Sequence, residues 1–89
     1  MEVSVIYTTQ LKAALGRSSD VVELQDGANV LDAIRKLAAN EAGTFDRFVL
    51  ADGGPLPSVL VSVNEQQVDF ATKLSDGDQL TLLSAISGG

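Results

Sequence analysis

The sequence predicts an α+β fold in which a mixed sheet of about five strands packs on one main helix. Two patterns carry this reading. Short runs rich in β-branched residues recur between turn signals, and one long stretch with helical periodicity, residues 30–40, interrupts them after the second run. Length adds a bound: 89 residues make one domain, because chains divide into separate cores only above roughly 250 residues.

Each element follows from local residue chemistry. Val3-Ser4-Val5-Ile6-Tyr7-Thr8 reads as the first strand, with Val3, Val5 and Tyr7 on one side. Leu11, Ala14 and Leu15 recur at helical spacing before Gly16, which predicts a short helix over 10–15 stopped by glycine. A second strand is expected over 20–24, where Val22 and Leu24 alternate with Val21 and Glu23 ahead of the turn signal Gln25-Asp26-Gly27. Asn29 and Asp32 form a capping-box-like pair at the start of the main helix, predicted over 30–40 with Val30, Ile34, Leu37 and Ala38 on one face. Phe45, Phe48 and Val49 suggest a second short helix over 44–50, and Asp52-Gly53-Gly54-Pro55-Leu56-Pro57 reads as a loop. Val59-Leu60-Val61-Ser62-Val63 is almost continuously apolar, as expected of a strand with most of both faces covered. Asn64-Glu65-Gln66-Gln67 predicts a tight turn into a short strand around 68–70. Ser75-Asp76-Gly77-Asp78 is a turn before the final strand, Gln79 to Leu83.

Two strands, a crossover helix and returning strands favour a sheet whose last strand lies parallel to its first, the β-grasp or ubiquitin-like roll. The domain is assigned to residues 1–84, and 85–89 to a flexible C-terminal tail ending in Gly-Gly. The sheet face away from the helix is expected to be only partly covered, a surface on which a partner can dock.

Composition excludes much chemistry. The chain has no cysteine and no histidine, so it offers neither a thiol nucleophile nor the commonest general base and metal ligand. Ser/His/Asp and Cys/His constellations are therefore impossible, and no glycine-rich phosphate loop joins a strand to a helix. Asp76 and Asp78 could suggest a metal site, but Asp-Gly-Asp before a strand reads as a turn. Twelve acids against six bases give a net charge of −6, which repels nucleic acid and suits either a soluble surface or a basic partner. No run approaches the roughly 18 apolar residues of a membrane span, and the N-terminus lacks the basic region of a secretion signal, so a cytoplasmic location is expected.

What remains is the ending Ser87-Gly88-Gly89. At the average glycine frequency of about 7%, two terminal glycines arise by chance in roughly 0.5% of chains. Lacking Cβ atoms, Gly88 and Gly89 can thread a channel too narrow for other residues. The Gly89 carboxylate is unhindered at its α-carbon, which leaves room for attack on the α-phosphate of ATP and then for a sulfur donor to attack the acyl-adenylate. Activation must come from another protein, since this chain carries neither a nucleotide site nor a nucleophile.

Five segments in order, Gln10-Leu11-Lys12-Ala13-Ala14-Leu15-Gly16, Asp26-Gly27-Ala28-Asn29-Val30, Val61-Ser62-Val63-Asn64, Leu74-Ser75-Asp76-Gly77-Asp78 and Ile86-Ser87-Gly88-Gly89, resemble the MoaD/ThiS sulfur carriers over the whole chain. The chain is similar to molybdopterin synthase small subunits more than to the shorter thiamine-pathway carriers. The resemblance implies that an E1-like adenylyltransferase of the MoeB/ThiF type, using ATP and Mg, adenylates Gly89 and that sulfur converts it to a thiocarboxylate. The tail then inserts into an acceptor, the molybdopterin synthase large subunit (MoaE type) or another enzyme. The chain itself would be no enzyme and would bind no cofactor or metal. Small subunits of that synthase often carry an aromatic residue late in the first strand and Pro-Pro before the tail, where this chain has Thr8 and Ser84-Ala85; the docking surface is expected to differ there. Thr8, Leu83 and Ile86 are the candidate docking residues, with Ser87 and Gly88 threading the tail; ordinary strand-end packing is the competing role for Leu83 and Ile86. Delivery of sulfur to thiamine, cysteine, tRNA or secondary-metabolite pathways, and attachment to protein lysines as a ubiquitin-like modifier, are alternatives that share the activation chemistry.

Overall fold

In the computed structural model the described residues are 1–40, 43, 45, 50–51, 54–55 and 59–84. The chain runs β1 (Glu2–Tyr7), α1 (Thr9–Leu15), β2 (Ser19–Glu23), α2 (Val30–Ala38), β3 (Leu50–Ala51), β4 (Gly54–Pro55), β5 (Val59–Val63), β6 (Gln66–Val68) and β7 (Gln79–Ser84). Five strands form one sheet in the order β2-β1-β7-β5-β6, and β3 pairs with β4 in a separate ribbon. β1 and β7 are parallel, while every other neighbouring pair is antiparallel. This is the β-grasp arrangement, with the last strand at the centre beside the first.

The period of two along each strand decides the core. Register places Val3 opposite Val22, Val5 opposite Leu80, and Tyr7 and Val61 opposite Leu82, so these buried side chains point to one face. Val30, Ala33, Ile34 and Leu37 of α2, Leu11 of α1 and Phe45 join them in a single buried cluster. The Tyr7 and Phe45 rings meet edge to face with centroids 6.4 Å apart.

The capping box of α2 is formed as predicted: Asp32 N donates to Asn29 Oδ1 at 2.9 Å and Asn29 N to Asp32 Oδ2 at 3.0 Å. Val30 N and Leu31 N, amides with no acceptor inside the helix, donate to the carbonyls of Thr72 and Phe70. The segment after β6 thereby ties the helix start to the sheet. α1 ends at Gly16 with φ 75°, the left-handed stop that its glycine predicts.

Four expectations are corrected. α2 ends at Ala38 instead of Asn40, because its last turn tightens into an Asn40 N to Leu37 O bond. The strand expected around 68–70 occupies Gln66–Val68, since the turn consumes only Asn64 and Glu65, whose φ values of 51° and 71° suit a two-residue hairpin. Gly54–Pro55, read as loop, pairs with Leu50–Ala51, so the helix expected over 44–50 does not reach Leu50, although Phe45 is helical and buried. The rest of 44–50 and of 52–57 lies outside the described residues. Finally, β5 is not covered on both faces: Leu60 is 41% exposed, because the helices share the buried cluster with the inward strand residues and leave the other face open.

Candidate functional site

The open face of the sheet is built by the strand residues that alternate with the core. Ser19, Ile6, Thr81, Ser62 and Gln67 lie in one register row across all five strands. Above it, toward the exit of β7, Leu83 faces Leu60; below it, Val21, Ser4 and Gln79 form a third row. None of these rows contains a charged residue, in a chain where 20% of residues are charged. Charge resumes with Glu2 opposite Glu23, at the end of the sheet away from the β7 exit.

Thr8, Leu60, Val61, Ser62, Gln67, Thr81 and Leu83 line a hollow of about 210 Å³ on this face. Thr8 and Leu83, separated by most of the sequence, are brought together because β1 and β7 run parallel and the two residues directly follow the pair Tyr7 and Leu82. Thr8 stands at the N-cap of α1 without capping it; its hydroxyl donates instead to the Leu82 carbonyl at 2.9 Å. Leu83 is half-buried beside the exposed Leu60. Leu60, Ser62, Thr81 and Gln67 were missed by sequence reasoning, and the outward parity of Thr81 and Leu83 in the final strand was the signal that could have found their neighbours. Ile86, Ser87, Gly88 and Gly89 lie outside the described residues.

Behind Thr8, the preceding Tyr7 turns its ring into the core while its hydroxyl donates to Asp20 Oδ2 at 2.7 Å. Arg17 Nε donates to the same oxygen at 2.7 Å, and its guanidinium lies 5.8 Å from the Tyr7 ring centroid. The Arg17 hydrogen bond holds the Asp20 carboxyl below the usual carboxylate range, whereas burial, reinforced by the bond to Asp20, raises the Tyr7 phenol well above its ordinary value. This corner fixes the junction of β1, α1 and β2. It holds a phenol that stays protonated and a paired carboxylate, so it is suited to structure and not to proton transfer at neutral pH.

The Asp76 and Asp78 carboxylates are engaged by the turn that the sequence predicts. Asp76 Oδ1 accepts from Glu2 N at 2.7 Å, Asp78 Oδ2 from Ser75 N at 2.8 Å and Asp78 Oδ1 from Asn64 Nδ2 at 3.0 Å. Among the described residues no group of three potential metal ligands comes together. The site is therefore a surface, uncharged and partly apolar, at the root of the C-terminal segment.

The profile described as ThiS family matches residues 5–89. The chain belongs to the ThiS family. As a member of this family of ubiquitin-like sulfur carriers it is 30% identical over 93 residues to small archaeal modifier protein 3 of Haloferax volcanii, with 100% of both chains covered. Its fold is that of the crystal structure of SAMP1 from Haloferax volcanii, at TM-score 0.89 and 22% identity with 100% of both chains covered, a likeness of fold alone. It is also similar to a chain of the Amycolatopsis orientalis BexX/CysO complex, at 31% identity and TM-score 0.72, covering 98% of this chain and 99% of that one. Among the described residues of this ThiS-family chain, no helix is long and apolar enough to cross a membrane.

Proposed function

We propose that this chain carries sulfur on Gly89. An E1-like enzyme binds ATP and Mg, and a Gly89 carboxylate oxygen attacks the α-phosphorus, releasing pyrophosphate and leaving an acyl-adenylate. Sulfur delivered at the level of hydrosulfide attacks the acyl carbon, the carbon–oxygen bond to AMP breaks as the carbon–sulfur bond forms, a proton is lost, and the terminal carboxylate becomes a thiocarboxylate. Thr8, Leu60 and Leu83 seat the partner while Ser87 and Gly88 enter its channel, and the absence of a Cβ at Gly88 and Gly89 allows the closest enclosure next to the reacting carboxylate. The observation that carries this reading is the ThiS-family match running through Gly89, with an uncharged sheet face at the root of that segment.

Sulfur acceptance by a molybdopterin synthase large subunit in the cytoplasm is the specific route, supported by the resemblance to small subunits of that synthase, to which the helix between the first two strands contributes. The similarity to a chain found in the BexX/CysO complex supports docking to a separate acceptor. Incubation with an E1-like enzyme, ATP, Mg and a sulfur donor is expected to raise the intact mass by the difference between sulfur and oxygen, and deletion of Gly89 to abolish the change. An unchanged mass under conditions that thiolate another family member would refute the proposal.

A second reading, attachment of Gly89 to protein lysines, is favoured by the 30% identity to a small archaeal modifier protein. It predicts isopeptide-linked Gly-Gly remnants on cellular proteins after trypsin digestion when the chain carries Ser87→Arg, and their absence would leave sulfur transfer alone.

A further inference from the structure

We infer that Thr8 is a positioning residue that latches the exit of β7, a role resting on the sulfur-carrier reading only for its consequence and not for its geometry. The parallel ladder between β1 and β7 has Tyr7 and Leu82 as its last pair, after which β1 gives way to α1. At that point the Thr8 hydroxyl donates to the Leu82 carbonyl at 2.9 Å, joining residues 74 apart in sequence. A threonine at an N-cap ordinarily accepts from an amide of its own helix, but Thr8 makes no such bond. α1 forgoes its side-chain cap, and the hydroxyl proton is committed to the strand that leads to Gly89.

The latch lies opposite the other restraint on this strand. β5 holds β7 through the pairs of Leu60 with Leu83 and Val59 with Ser84, whereas the β1 side ends at Leu82 and Thr8. Thr8 thus closes the β1 side where the strand would otherwise begin to fray, so that the end of β7 is held on both sides beside the hollow. A partner that receives the tail then meets a preset starting direction and spends less binding free energy on ordering it.

The two halves of the threonine side chain make the idea testable. Thr8→Val keeps the methyl surface and removes the hydroxyl, while Thr8→Ser does the reverse. In the isolated chain, hydrogen exchange at the Leu83 and Ser84 amides is expected to quicken roughly two- to tenfold in Thr8→Val, the range a single hydrogen bond supports, with Thr8→Ser returning toward the parent rate and Val5 in the core unaffected. With an E1-like enzyme, ATP and Mg, KM is expected to rise more in Thr8→Val than in Thr8→Ser, with kcat held. Equal exchange in both variants, or a KM that rises more in Thr8→Ser, overturns the latch and makes Thr8 a contact made through its methyl group. If the parent chain is not adenylated at all, the sulfur-carrier reading falls, while the exchange rates still decide whether the latch exists.

Discussion

Replacing Leu60 tests whether the uncharged sheet face is where a partner sits. Full burial of a leucine side chain is worth about 1.5–3 kcal/mol. Because Leu60 is 41% exposed in the free chain, covering that fraction contributes about 0.6–1.2 kcal/mol on docking. Leu60→Ala, which keeps only the Cβ, is therefore expected to weaken binding to an E1-like enzyme by about 0.5–1 kcal/mol, roughly two- to fivefold in Kd. Leu60→Asp places an unpaired carboxylate in the same contact and should weaken it far more, by a further ~2 kcal/mol or above. Isothermal titration of each variant against the same enzyme measures both. Val21 is the internal control, since it is 61% exposed on the same face but lies on β2, three strand spacings or roughly 14 Å from β5. A Val21→Ala loss equal to that of Leu60→Ala, or no loss with Leu60→Asp, would show that docking is not centred on the hollow.

Other outcomes follow from the corner behind Thr8 and from the helix start. The chain has a single tyrosine, and because burial raises its phenol above the ordinary value of 10.0, the unfolded chain ionises there while the folded chain does not. Stability therefore falls as pH rises above 10.0, and phenolate absorbance should appear together with loss of the circular-dichroism signal; phenolate forming in a folded chain would contradict the buried bond to Asp20. Asp20 has the opposite sign: its folded pKa is depressed, so its contribution is present above the ordinary value of 3.8 and is lost as pH falls through the folded value. With both partners partly exposed this contribution is below ~1 kcal/mol, and urea melts of Asp20→Asn at low and neutral pH should show a smaller acid-induced change than the parent chain. Asn29→Ala removes the acceptor of the capping box and should cost about 1 kcal/mol in urea denaturation, a loss that Asn29→Ser largely restores.

Local chemistry explains what could be read in advance. The alternation of Val3, Val5 and Tyr7, the Asn29–Asp32 cap and the Asp76-Gly77-Asp78 turn depend on residues a few positions apart, and each is formed as the sequence indicates. The exposure of Leu60 could not be read the same way, because an apolar run looks alike whether one face or both are covered. Which face stays open is decided by where two distant helices lie. The short turn at Asn64 likewise depends on bonds to Asp78 and Gln79 from across the sheet, with Asn64 Oδ1 accepting from Gln79 N at 3.0 Å. Thr8 shows the same limit from the side of the site: it was expected only as a docking residue, and its bond to Leu82 exists only once the first and last strands lie together.

That adjacency also governs the order in which the molecule can be completed. The strand at the centre of the sheet is the last to leave the ribosome, and until it arrives β1 has no link to β5. A nascent chain can form the β1–β2 hairpin and begin α2, but it cannot close its core. Fragments cut short before Gln79 leave two half-sheets that no strand pairing joins.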